Sequence, residues 1–201
     1  MDIQLFEQKR KSYIQIGEIY FWTATINSWM KLLDKDEFKQ VVLDSLRHLS
    51  EKGKIDVFAF VIMPNHIHLI WRINELNGKE EAQTSFLKFT AYQFKTMLQK
   101  EGGDSLEAYK VNANNKVYEF WQRDSLAIHL YTREVAFQKL DYLHNNPMAK
   151  HWQLAVTPAD YLYSPAKQYE GRETNYTFLK DLREEFNNHG MWGTRCGIDG
   201  S

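Results

Sequence analysis

The stretch that most restricts this chain runs from Ile55 to Ile73. Its first half, Ile55-Asp56-Val57-Phe58-Ala59-Phe60-Val61-Ile62, is apolar on both alternating sets of positions, the pattern of a central strand. Met63-Pro64-Asn65 then supplies turn residues, and His66-Ile67-His68-Leu69-Ile70-Trp71-Arg72-Ile73 returns as a second strand. Successive side chains of an extended chain point to opposite faces. His66 and His68 therefore share one face, while Ile67, Leu69, Trp71 and Ile73 take the other. The expected product is a hairpin with one face packed and paired imidazoles on the other.

Elements that can clothe this hairpin lie on both sides of it. Tyr13 to Ile26 predicts a strand, clearest in Tyr20-Phe21-Trp22-Thr23-Ala24-Thr25-Ile26, and Asn27-Ser28 interrupts it. Asp34 and Glu37 have the form of a capping box, ahead of a helix with Phe38, Val41, Val42, Leu46 and Leu49 on one stripe and Gly53 at its end. Asn74 to Gln83 reads as a loop. Thr84 or Ser85 can cap a second helix reaching about Glu101, with Phe86, Phe89, Phe94, Met97 and Leu98 inward and Gly102-Gly103 stopping it. Asp104 to Asn115 reads as a loop closed by the turn signal Asn114-Asn115, and Val117 to Ile128 as one or two strands. Thr132 can cap a third helix from Arg133 to about Asn146, with Ala136, Phe137, Leu140 and Leu143 on its apolar side. The remaining chain reads as an appendage, with a short helix between Thr177 and Phe186. Residues 1–172 are expected to form one domain and 173–201 a C-terminal extension.

Composition narrows the partners. A formal net charge of -1 over 201 residues gives no global positive field, so any nucleic acid must be met by local charge. Lys88, Lys95, Arg123 and Lys139 are the candidate phosphate contacts, and Trp121 or Tyr92 the candidate stacking surfaces for bases. Cys196 stands alone, which excludes an intrachain disulfide framework and a thiolate zinc cluster. No run has the length of a signal-peptide core or a membrane span, so the expectation is a cytoplasmic protein with no membrane partner.

Two histidines on a rigid strand need a third donor to hold a metal. Taken alone, such a pair is more often solvated or hydrogen-bonded than metal-bound. Tyr142 and Asn146 fall opposite the apolar stripe of the third helix and, at i and i+4, stand one above the other. Pro147 places Asn146 in the last helical turn or at its end.

This set, in this order, resembles the single-tyrosine HUH transposases, in which two histidines flank a bulky hydrophobe, here His66-Ile67-His68. The nearer resemblance is to the REP-associated tyrosine transposases. It is carried by Val61-Ile62-Met63-Pro64-Asn65-His66-Ile67-His68-Leu69, by Phe120-Trp121-Gln122-Arg123, by Tyr142-Leu143-His144-Asn145-Asn146-Pro147, and by Pro158-Ala159-Asp160-Tyr161 with Ser164. It spans Tyr13 to Tyr169.

The resemblance implies an α+β fold, a ferredoxin-like antiparallel sheet of about five strands flanked by helices. It implies that Tyr142 attacks a phosphodiester of single-stranded or hairpin DNA, giving a 5′-phosphotyrosine and a free 3′-hydroxyl. His66, His68 and the Asn146 amide oxygen would ligate a divalent metal, Mg2+ or Mn2+. Insertion-sequence relatives often carry glutamine at the last position, one methylene longer. Some members of the wider group are homodimers and others monomers. Two rival readings are a non-catalytic DNA-binding relative, and a metal-dependent phosphodiesterase using the histidines with His144 or His151.

Overall fold

The computed structural model describes residues 14–102, 104–113, 116–123, 125–173 and 175–188. Cys196, Gly103, Tyr13 and the Asn114-Asn115 turn signal lie outside them. Strand β1 (Ile19–Thr25) leads through two short 3-10 turns to helix α1 (Asp36–Glu51). The hairpin comes next as β2 (Ile55–Ile62) and β3 (His66–Ile73), then helix α2 (Ala82–Glu101). A 3-10 turn over Asp104–Tyr109 opens into β4 (Lys110–Ala113) and β5 (Lys116–Tyr118), followed by β6 (Leu126–His129) and helix α3 (Arg133–Asn145). Short helices α4 (Ala166–Tyr169) and α5 (Leu182–Asn188) close the order.

The main sheet is antiparallel with order β2-β3-β1-β6, and β4-β5 form a separate two-stranded ribbon. It thus has four strands where about five were expected. Gly17, at φ 89, turns the chain into β1, which is why that strand starts later than its aromatic lead-in suggested. Hairpin strands β2 and β3 have the bounds read from the sequence.

Two apolar layers sandwich the sheet. On one face, Trp22, Ile67, Leu69 and Trp71 meet Phe38, Val42 and Leu46 of α1 and Phe86 and Phe94 of α2. On the other, Phe21, Phe58 and Ile70 meet Ala136, Leu140 and Leu143 of α3. A bulge between Val57 and Ala59 lets Phe58 and Ala59 both join this second layer.

The helix ends have identifiable causes. Asp34 falls in the 3-10 turn Leu32–Asp34, so the expected capping box does not form; Lys35 is the N-cap of α1 without a side-chain bond. Asp36 and Glu37 still place negative charge on its first turn. The far end closes with Gly53 at φ 69, its N–H on Ser50 O at 2.9 Å and the Lys54 N–H on Leu49 O at 2.9 Å. Glu81, rather than Thr84 or Ser85, precedes α2. Thr132 does cap α3, accepting from the Val135 N–H at 3.3 Å.

The chain after Pro147 is no appendage. The Tyr161 hydroxyl donates to Ile62 O at 2.7 Å and the Ile62 N–H to Tyr163 O at 3.1 Å, fixing the strand that leads into the histidine turn. Leu179 bridges Val57, and Phe178 and Leu182 are buried. Arg72 joins buried Asp56 to Glu185, so residues 175–188 are held on the β2-β3 hairpin by charge as well as packing.

Candidate active site

The register of β1 against β3 builds the floor of a cleft. Thr25 pairs with His66 and Thr23 with His68, so two hydroxyls and two imidazoles share the face that carries Phe21. Helix α3 crosses that face and ends over it, because its buried stripe of Ala136, Leu140 and Leu143 turns Tyr142 outward, 51% exposed, toward the histidines. Asn146 is the C-cap, one turn on, and is buried. Together with Trp29, Asn145, Ala149, His151 and Trp152 these side chains line a cleft of about 410 Å³. All four groups singled out by the motifs, His66, His68, Tyr142 and Asn146, meet there within one chain.

The rings are close. His66 and His68 lie 4.7 Å apart between centroids, and the Tyr142 ring stands 5.5 Å from His68 in an edge-on arrangement. Phe21 stacks on His68 at 5.0 Å and meets Tyr142 edge-on at 5.9 Å, so one core residue spaces the two. Lys139 puts its ammonium 5.8 Å from the centre of the Tyr142 ring and 5.2 Å from that of Phe21.

Each imidazole is oriented from behind. Asn65 donates through Nδ2 to Trp29 O at 3.3 Å, which leaves its Oδ1 as an acceptor for His66 Nδ1 at 2.7 Å. An acceptor there puts the proton on Nδ1 and the lone pair of His66 on Nε2. His68 Nδ1 is hydrogen-bonded to Thr23 Oγ1 at 2.7 Å, and its Nε2 is buried without a hydrogen-bond partner among the described residues. Burial, helped by the nearby charge of His151, lowers the His66 pKa to about 4. Burial, then His66 and Lys139, lowers that of His68 to about 3. Both rings are therefore neutral at pH 7, the form that ligates metals.

An orphaned imidazole nitrogen beside a second, oriented one is a donor pair that suits a divalent cation. Among the described residues no three His, Cys, Asp or Glu side chains are grouped to hold one; the other oxygen-bearing side chains of the cleft are Thr23, Thr25, Tyr142, Asn145 and Asn146. That same absence leaves His151 outside a three-histidine site. His144 is turned away, its ring 5.1 Å from Tyr169 in the second apolar layer.

The remaining candidates do not converge on the cleft. Trp121 is buried, its indole N–H donating to Thr90 Oγ1 at 2.9 Å, and so offers no face to a base. Lys88 pairs with Glu80, Arg123 with Glu119 at 3.1 Å, and Lys95 lies over the Tyr118 ring; α2 carries the two lysines on the opposite side of the sheet. Tyr92 is exposed on that same helix. Of the basic residues singled out from sequence, Lys139 is the one beside the histidines.

Several residues of the cleft, Trp29 among them, had no functional signal in the sequence. Ser28 and Trp29 both adopt left-handed backbone, at φ 54 and 57, a conformation costing on the order of 1–2 kcal/mol for each non-glycine residue. The turn is pinned by the Asn27 N–H on Phe120 O at 2.7 Å, the Trp29 N–H on Ile26 O at 3.0 Å and the Asn65 amide on Trp29 O. The interruption at Asn27-Ser28 marks the turn, but not its handedness.

No protein-family model and no curated protein matches the sequence. Among solved structures the chain is similar to a REP-associated tyrosine transposase bound to a REP hairpin. Identity is 18%, and the TM-score is 0.54 over 85% of this chain and 95% of that one. A candidate transposase from Deinococcus radiodurans is similar at 14% identity and TM-score 0.41, over 69% of this chain and 96% of that one. The first of these shows a shared fold. The family whose motifs this sequence resembles and the fold found here therefore agree.

Proposed function

We propose that this chain is a transposase-type enzyme that nicks and rejoins single-stranded DNA through a covalent 5′-phosphotyrosine on Tyr142. The observation that carries the reading is the meeting of the Tyr142 phenol with the two neutral imidazoles and the Asn146 amide in one cleft. The phenol oxygen forms a bond to phosphorus as the bond to the 3′-oxygen breaks; the phenolic proton is lost and the departing 3′-oxygen takes one up. One phosphodiester replaces another, so the 3′-hydroxyl can return by the reverse step without an external energy source. A divalent ion, Mg2+ or Mn2+, held by His66, His68 and Asn146 would neutralise charge on the nonbridging oxygens and ease departure of the 3′-oxygen.

The chain's own residues supply the positioning. Phe21 holds the His68 and Tyr142 rings apart at fixed spacing, and Thr23 and Asn65 lock the two imidazoles. Lys139 adds a positive charge beside the phenol for the incoming phosphate. A hairpin substrate is favoured because the fold neighbour is bound to a REP hairpin and because this chain has little net charge for unstructured DNA.

The test is incubation of the protein with a 5′-labelled and a 3′-labelled single-stranded hairpin oligonucleotide in Mn2+. A tyrosine nuclease retains protein on the 5′ end of the downstream fragment and frees a 3′-hydroxyl. A phosphodiesterase leaves both fragments free of protein, and a binding module leaves the oligonucleotide whole.

A further inference from the structure

Trp29 combines features that packing does not account for. Its indole is 61% exposed and belongs to neither apolar layer, yet its backbone is held left-handed, next to a second left-handed residue, by hydrogen bonds on both sides. The ring lines the same cleft as His66, His68 and Tyr142. Trp152, from the turn after α3, lines it too, with its ring 5.9 Å from His66. Asn65 bonds the backbone of Trp29 through one end of its amide and His66 through the other, so a single side chain ties the backbone that carries the exposed indole to the imidazole. A solvent-facing indole beside a phosphate-processing site is a surface on which an unpaired base can stack, whatever its sequence, and the half-buried Trp152 ring borders it from the second apolar layer.

We propose that Trp29, with Trp152 as a second wall, forms a seat for one unpaired nucleobase next to the phosphate that Tyr142 attacks. This rests on the proposed nicking reaction and adds the reason for single-strand selection: a base held in a duplex cannot reach the seat. Asn65 is then a positioning residue that sets the seat and the His66 ring together.

The experiment uses the full chain carrying Tyr142→Phe, which cannot form the adduct, with Mn2+ and a fluorescent single-stranded hairpin oligonucleotide. Trp29→Gly suits the left-handed backbone, so its melting temperature should equal or exceed the parent's while binding weakens about tenfold; Trp29→Phe should keep most of the affinity. A series of oligonucleotides with one abasic site each should show a single position whose base matters to the parent and not to Trp29→Gly. Equal affinity for the parent and Trp29→Gly overturns the seat, as does an identical abasic profile in both. The chain with Tyr142 intact is assayed alongside for the covalent adduct. An adduct with no Trp29 effect removes the seat alone, whereas a Trp29 effect with no adduct keeps the seat and removes the nicking chemistry. Neither binding nor adduct overturns both.

Discussion

The two faces of the central sheet are built by the same strands and serve opposite ends. On the α1-α2 face every inward position of β1 and β3 is apolar, and Trp22 and Trp71 sit ring to ring at 4.9 Å with no exposure. On the α3 face, one residue out of step, apolar Phe21 and Ile70 give way toward one end to Thr23, Thr25, His66 and His68. The first face holds the strands in register; the second uses that register to set hydroxyls against imidazoles. A period of two in the backbone is enough to separate the packed core from the polar groups of the cleft, residue by residue.

If the separation is real, substitutions on the two faces should fail in different ways. The largest expected effect is on chemistry alone: Tyr142→Phe, at a half-exposed position, should abolish the protein–DNA adduct while leaving the melting temperature and DNA binding unchanged. Persistent cleavage would place the nucleophile elsewhere. On the packed face, Trp71→Ala should cost about 3–5 kcal/mol, seen as a melting temperature lowered by roughly 10 °C, without changing the site in whatever fraction stays folded. A loss of activity with no loss of stability would break the comparison.

Titration tells the faces apart as well. His66, His68 and His144, all on the α3 side, have pKa values lowered by burial to about 4, 3 and 4. In the unfolded chain each titrates near 6.5, so between that pH and the folded values the unfolded state binds more protons and stability falls as pH falls. Three such groups should remove about 2 kcal/mol between pH 7 and pH 6 in metal-free buffer. Hydrogen exchange should report earlier loss of protection in α3 than in α2; a melting temperature that is flat or rises on acidification would contradict the assignment. The smallest effect is behind the site. Thr23→Val removes the partner of His68 Nδ1 and should weaken Mn2+ binding about tenfold or more, read as a smaller metal-induced rise in melting temperature. An unchanged Mn2+ response would mean that Thr23 does not orient the ring.

Much of the fold was legible in the sequence where its signals are local. The β2-β3 alternation, the α1 stripe and the Thr132 cap each need only a few neighbouring residues, and the structure has them where they were expected. The i, i+4 relation of Tyr142 and Asn146 was local too, and the cleft contains both. What escaped depended on pairing partners rather than on a periodic pattern. Lys110–Ala113 is a strand only by pairing with Lys116–Tyr118, and Trp121 is a core residue only because Thr90 waits on α2. Phe178 and Leu182 are too sparse to form a periodic pattern, yet a parallel bridge to β2 and the Arg72 ion pairs bury them. The left-handed turn at Ser28-Trp29 is imposed by Phe120 and Asn65, far away in sequence.

The covalent chemistry proposed for this site requires the late helix to deliver its phenol to the paired imidazoles. Peptide mapping by mass spectrometry, after reaction with a hairpin oligonucleotide in Mn2+ and nuclease trimming, tests it at one atom. The expected product is a nucleotide linked through phosphate to Tyr142, absent when His68 is replaced by Ala. A nucleotide on any other residue, or cleaved DNA with no modified peptide, would contradict it.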